Sequence, residues 1–210
     1  MGKLILLRHG ESVWNQKNIF TGWVDIGLSD KGVEEALKAG DMLKDIKFDS
    51  LFVSTLIRAK LTLYLVLSKN KLTKTAVTNF SSPWAKSYGE NDFVNVIESE
   101  ALNERYYGKL QGKYKDKIKD EFGEAQFKLW RRSYDIAPPE GESLKMTIDR
   151  ALPFAEKEIF PRVKRGETVL VSAHGNSLRG IVMHLDKLSS EEVVNLEIPT
   201  GVPLFYDLSG

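Results

Sequence analysis

The sequence predicts an α/β fold with three layers: a mostly parallel central sheet carrying helices on both faces. Three observations predict it. Leu4-Ile5-Leu6-Leu7 and Val169-Leu170-Val171-Ser172-Ala173 are near-continuous apolar runs, the pattern of strands buried on both faces. Such runs alternate along the chain with segments of helical periodicity, which favours parallel strands joined by helical crossovers. Both runs also stop abruptly, at Arg8-His9-Gly10 and at His174-Gly175-Asn176. The carboxyl ends of parallel strands are where open α/β sheets hold ligands.

The elements follow in order. Residues 3–8 read as a buried strand bounded by Gly10. Gly22, Gly27 and scattered Asn mark a loop, and Ser29 is a candidate N-cap for a helix with Val33, Ala36, Leu37, Gly40 and Leu43 on its apolar side. Leu51-Phe52-Val53 is a short strand. Ser54 and Thr55 can cap the next helix, which runs through Ala59, Leu63 and Val66. Residues 69–98 are polar, with turn signals at Ser81-Ser82-Pro83 and Tyr88-Gly89-Glu90-Asn91, and read as an excursion with one short strand near Val94–Ile97. Residues 104–112 form a glycine-punctuated loop. Lys115–Trp130 is helical with a break near Gly123. After Pro138-Pro139-Glu140-Gly141, helical periodicity returns over Leu144–Ile159, with Pro153 a kink or boundary. Glu167–Ala173 is the second buried strand, Asn176–Leu185 a helix behind it, Ile198-Pro199-Thr200-Gly201 a turn and Val202–Tyr206 a final strand.

Bulk properties narrow the class. The 210 residues suffice for one domain spanning 1–210. Lys plus Arg is 30 and Asp plus Glu is 29, so the net charge is +1, which argues against a nucleic-acid module driven by global charge. Without cysteine there are no disulfides, thiolate nucleophiles or thiolate metal sites, which fits a reducing compartment. The short apolar start lacks the features of a signal peptide, and no stretch approaches the ~20 apolar residues that span a bilayer. The expectation is a cytoplasmic protein without membrane or nucleic-acid partners; a homo-oligomer is left open.

The motifs point to anion chemistry. A neutral imidazole is a competent nucleophile, and His9 stands beside a guanidinium, Arg8, whose planar donors match phosphate oxygens. Gly10 lets an anion approach the backbone. His174 occupies an equivalent strand end, where an imidazole can donate to a transferring phosphoryl group. Asn176 can cap the following helix as well as serve the site. Arg58 lies early in a helix, a position friendly to anions, though a solvent-facing Arg is the plainer reading. Glu104, in a glycine-rich loop, can serve as general acid or base; alone it reads as an ordinary exposed carboxylate. Arg131-Arg132 are either helix-end charges or, aimed inward with Lys115, a second anion grip. His184, Trp23 and Trp130 carry no expected role beyond the surface or packing, and Trp84 has no assignable place. Metal is not expected, because neither site histidine has an acidic neighbour at metal-binding helical spacing and the surrounding cations would repel an ion.

Leu7-Arg8-His9-Gly10-Glu11 resembles the signature of the histidine phosphatase superfamily. Phe20-Thr21-Gly22-Trp23, Leu102-Asn103-Glu104-Arg105-Tyr106-Tyr107-Gly108, Leu110-Gln111-Gly112, Trp130-Arg131-Arg132-Ser133-Tyr134-Asp135 and Ala173-His174-Gly175-Asn176-Ser177 resemble, more narrowly, the cofactor-dependent phosphoglycerate mutases. The resemblance implies that His9 is phosphorylated, Glu104 exchanges a proton with the glycerate hydroxyl and His174 stabilises the transition state. Arg8, Asn15 and Arg58 would hold the phosphoryl group. Ser12, Thr21, Gly22, Tyr107, Lys115, Arg131, Arg132, Gly175 and Asn176 would line the pocket. It further implies interconversion of 3- and 2-phosphoglycerate in glycolysis and gluconeogenesis, primed by 2,3-bisphosphoglycerate without metal.

Three departures accompany it. The Arg58-to-Glu104 interval is long, implying an extra loop around 70–98. The Pro138–Ser143 junction is compact. The chain stops at Asp207-Leu208-Ser209-Gly210, where relatives continue into a mobile tail over the site; an open site would favour hydrolysis of phospho-His9. Two rivals stand beside the mutase: a phosphatase or bisphosphoglycerate-handling enzyme on the same scaffold, and a binding protein that has lost the chemistry.

Overall fold

A computed structural model describes residues 2–73, 75–78 and 93–208. Its centre is a six-stranded sheet in the order β3-β4-β2-β5-β1-β6, made of β1 (Gly2–Arg8), β2 (Ser50–Val53), β3 (Thr75–Thr78), β4 (Phe93–Glu98), β5 (Thr168–Ala173) and β6 (Pro203–Leu208). Four pairings are parallel and only β1 with β6 is antiparallel, so the mostly parallel expectation holds.

The apolar runs are buried on both sides because successive side chains feed different layers. Leu4 and Leu6 of β1, with Val169, Val171 and Ala173 of β5, pack against Ala155, Ile159, Val163, Leu178 and Ile181 on one face. Ile5 and Leu7, with Leu51, Val53 and Leu170, pack on the other against Ala39, Leu43, Ala59, Leu63 and Val66. The helices are α1 (Val13–Gln16), α2 (Asp30–Leu43), α3 (Ile57–Lys69), α4 (Lys115–Arg132), α5 (Leu144–Phe154), α6 (Phe160–Lys164), α7 (Gly175–Asp186) and α8 (Ser190–Asn195). Ser29 caps α2 as expected, accepting from Gly32 N. Gly123 breaks α4 at φ +81°. Pro153 sits inside α5 just before a π-helical turn over Ala155–Ile159, a widening consistent with the hydrogen bond proline cannot give.

Several expectations need correction. The N-cap of α3 is Leu56, which has no side-chain cap bond; Ser54 and Thr55 are engaged elsewhere. Thr55 donates to Asn103 Oδ1 at 3.0 Å through both its N–H and its hydroxyl. β4 matches the strand expected near Val94–Ile97, but β3, α1 and α8 were not expected. Residues 74 and 79–92 of the excursion, with Trp84 and both its turn signals, lie outside the described residues. Among the described residues no helix is long and apolar enough to cross a membrane.

Candidate active site

Three neighbouring parallel strands, β1, β5 and β2, end side by side, and the residue after each carries a polar side chain: His9, His174 and Ser54. Register fixes this, since Arg8 pairs with Ala173 and Val53 with Ser172. His9 N donates to Ala173 O at 3.0 Å, continuing the ladder. The two imidazoles come within 4.9 Å, centroid to centroid. The topological equivalence read from sequence is thus a physical adjacency.

His9 is buried, and its Nδ1 lies 2.6 Å from Gly10 O. Burial, then the charges of Arg58 and Arg8, hold its pKa well below the ordinary value, outweighing the Gly10 carbonyl. The ring is therefore neutral at physiological pH. A carbonyl only accepts, so the proton sits on Nδ1 and Nε2 keeps a bare lone pair. His174 is also buried and held neutral by burial, then by Arg58, His9 and Arg8.

Arg58 is buried in the first turn of α3, donating to Gly22 O (2.7 Å) and Val24 O (3.1 Å). Burial lowers its pKa to about 10, so it remains a cation at neutral pH. Arg8 Nη1 donates to Ile198 O at 2.7 Å, while its buried Nε has no partner among the described residues.

Glu104 follows the short 3-10 turn after β4. Its Oε1 accepts from Arg105 N (2.7 Å), Asn176 Nδ2 (2.7 Å) and Asn176 N (3.2 Å). Burial pushes its pKa up, but these donors with Arg58 and Arg8 more than reverse the effect, so the carboxylate is ionised. Trp23 Nε1 (2.5 Å) and Arg150 Nη2 (2.8 Å) both donate to the Glu104 carbonyl. Arg150 also donates to the carbonyls of Glu100, Ala101 and Asn103 and pairs with Glu142 at 2.8 Å. Trp23, expected only to pack, therefore helps to hold the carboxylate-bearing segment. Arg150 was missed because its partners come from a distant turn.

One cavity joins these groups. Arg8, His9, Asn15, Thr21, Gly22, Arg58, Glu104, Tyr107, Lys115, Arg131, Arg132, Gly175 and Asn176 all line it, as expected. Two expected residues do not form its wall. Ser12 is fully buried and caps α1; its hydroxyl donates to Asn15 Oδ1 (2.9 Å) and accepts from Asn15 N (3.1 Å), so it stands behind Asn15. His174 is fully buried against His9. Lys115 is depressed by burial and by Arg131, which reflects their crowding at one part of the wall. Ile19, Phe20, Arg179, Glu197 and Ile198 line the cavity too and were missed. Arg179 had a findable signal: it lies three residues after Asn176 on one helix face, and its Nη1 donates to Asn176 Oδ1 at 3.0 Å.

Metal-ligand atoms of His9, Glu104 and His174 lie within 4.8 Å of one another, so the fold supplies the acidic neighbour that sequence spacing lacked. Arg8 and Arg58 disfavour positive charge on both imidazoles, and the same field opposes a cation bound between them.

The fold and cavity define a site for phosphoryl transfer: a nucleophilic imidazole among guanidinium groups, with an ionised carboxylate at hand. The model of the histidine phosphatase superfamily (branch 1) matches residues 4–80 and 84–202, and the chain belongs to that superfamily. It is 52% identical to a 2,3-bisphosphoglycerate-dependent phosphoglycerate mutase of Methanococcus vannielii, over 99% of this chain and 91% of that one. It is 50% identical to the protein of the same name from Chlamydia muridarum, over 99% and 94%. Among solved structures, Bacillus stearothermophilus YhfR superposes with a TM-score of 0.79 at 25% identity, over 99% of this chain and 92% of that one.

Proposed function

We propose that the protein is a phosphoglycerate mutase interconverting 3-phosphoglycerate and 2-phosphoglycerate through phospho-His9, acting in the cytoplasm in glycolysis and gluconeogenesis. One observation carries this reading: the cavity is lined by two groups of cations, Arg8 with Arg58, whose charges act on His9, and Lys115 with Arg131 and Arg132, whose charges act on one another. That arrangement suits a small substrate with an anion at each end. Near-full-length relatives at about half identity carry the mutase name, which supports the same substrate class.

His9 Nε2 carries the phosphoryl group while Nδ1–H stays on Gly10 O. Arg8 and Arg58 neutralise charge spread over the phosphoryl oxygens. Glu104, ionised at rest, takes the proton from the substrate hydroxyl as that oxygen bonds to phosphorus and the N–P bond of phospho-His9 breaks. In the return half, His9 Nε2 attacks the other phosphate, its P–O bond breaks, and Glu104 gives the proton back to the released oxygen. Proton and phosphoryl group both balance over the cycle. Lys115, Arg131 and Arg132 hold the anionic end that is not reacting. The same cations fit 2,3-bisphosphoglycerate, which supplies the first phosphoryl group.

A coupled assay with and without added 2,3-bisphosphoglycerate tests the reading. The expected result is 2-phosphoglycerate formation stimulated by the bisphosphate. Free phosphate as the main product assigns the protein to the hydrolytic branch of the same chemistry.

A further inference from the structure

We propose that Arg179 is a positioning residue that acts through Asn176: it locks the Asn176 carboxamide onto Glu104 Oε1 and leaves Oε2 as the oxygen that exchanges the substrate proton. The inference deepens the mutase reading and rests on it. Arg179 follows Asn176 by three residues in α7, so both side chains stand on one helix face. Its Nη1 donates to Asn176 Oδ1 at 3.0 Å. Asn176 Nδ2 in turn donates to Glu104 Oε1 at 2.7 Å. The guanidinium is itself anchored, since Nε (2.9 Å) and Nη2 (2.7 Å) both donate to Leu196 O at the end of α8.

The two ends of a carboxamide are alike in size, so shape does not decide which way Asn176 points. Chemistry does. An ionised carboxylate only accepts and a guanidinium only donates. Asn176 stands between one of each and satisfies both neighbours in a single orientation, with Oδ1 on Arg179 and Nδ2–H on Glu104. The flipped amide would set its oxygen against the carboxylate and its N–H groups against the cation. Each charge-assisted bond also polarises the amide in the sense that strengthens the other. Among the described residues Arg179 makes no ion pair with Glu104, so the amide is the link between the two charges.

The consequence falls on Glu104. Its three hydrogen bonds, from Arg105 N, Asn176 Nδ2 and Asn176 N, all end on Oε1. Oε2 has no hydrogen-bond partner among the described residues, and Glu104 lines the cavity. One oxygen is therefore tied down and the other is left for the substrate hydroxyl. Without Arg179 the carboxamide is free to swing, Oε1 is gripped less firmly, and the proton-exchanging oxygen is no longer aimed. Arg179 lines the cavity as well, so a direct grip on the substrate is the competing role. A third role is a plain tether between α7 and Leu196.

The test begins with the ligand-free, 15N-labelled protein. In the wild type one Asn176 Nδ2 proton is expected well downfield of the ordinary amide position and slow to exchange with solvent. In Arg179→Met it moves back upfield. An ordinary, fast-exchanging Asn176 amide in the wild type overturns the proposal, and that spectrum decides even where the variant does not fold. In steady-state assays Arg179→Met is expected to lose roughly 10-fold in kcat, with KM for 3-phosphoglycerate held within about twofold. Added to Asn176→Ala, the same substitution costs no further kcat, because its effect passes through the amide. A KM raised more than about fivefold with kcat kept assigns Arg179 to direct substrate binding and overturns the proposal. Additive losses in the double variant assign Arg179 to the tether and overturn it too. Failure of the mutase reading shows separately, as a wild type that does not turn over 3-phosphoglycerate while the amide signal, which needs no substrate, is in place.

Discussion

At the residue scale, the cavity wall is rich in cations, and beside the ionised Glu104 it carries a second carboxylate, Glu197. Its Oε1 pairs with Arg132 Nη2 at 2.7 Å, and Arg132 holds its carboxyl below the usual range despite the opposing effect of burial. A substrate anion reaching Arg132 must displace or share with that carboxylate. The pair is half open to water, so its worth is modest. Glu197→Gln is therefore expected to lower KM for 3-phosphoglycerate by about threefold with little change in kcat; a raised KM means that Glu197 orients Arg132 rather than competing for it. Residues that act through their position at a strand end, Arg8, His9 and His174, were legible in the sequence because a polar triplet ending an apolar run has few structural reasons. Glu104 was legible only as a carboxylate in a loop. Its donors, Asn176, Trp23 and Arg150, come from three separate segments, and no local spacing encodes that meeting.

At the element scale, the loop after β1 crosses the start of α2 with two glycines in contact. A Cβ on Gly10 would stand 2.2 Å from Gly32 O, and one on Gly32 would stand 2.0 Å from Glu11 O. Gly10 also supplies the carbonyl that orients His9, so fold and chemistry share this crossing. Gly10→Ala is expected to destabilise the protein by about 2 kcal/mol, in the range of an overpacked core, and to depress His9 phosphorylation beyond what unfolding accounts for. Urea melts and labelling of the folded fraction measure the two effects; wild-type values in both contradict the contact argument. β1 and β5 announced themselves because each of their faces meets a layer of helices. β3 did not, since Thr75-Ala76-Val77-Thr78 is short, half threonine and at the sheet edge. α1 and α8, four and six residues long, were too short for periodicity to show. The break in α4 was visible because Gly123 interrupts an otherwise helical run.

At the scale of the whole molecule, the two apolar layers fix β1, β5 and β2 side by side, and the site is a consequence of that order. The same burial that makes both imidazoles neutral links the site to stability. Each has a folded pKa below the ordinary 6.5, so below that pH the unfolded chain binds protons that the folded site refuses. The histidine contribution is whole above about pH 6.5 and is lost as pH falls from there toward the lowered folded values. Thermal melts between about pH 7.5 and about pH 5.5 should show Tm declining with acid. The decline should flatten in a His9→Gln, His174→Gln double variant. An equal slope in both proteins assigns the acid sensitivity elsewhere.

The central claim is that His9 is transiently phosphorylated. The direct measurement is incubation with 32P-labelled 2,3-bisphosphoglycerate, rapid denaturation, and assay of protein-bound label for the acid-labile, alkali-stable behaviour of an N–P bond. The expected result is such label on the wild type and none on His9→Ala. Label of equal amount on both, or on neither while the wild type turns over, contradicts it.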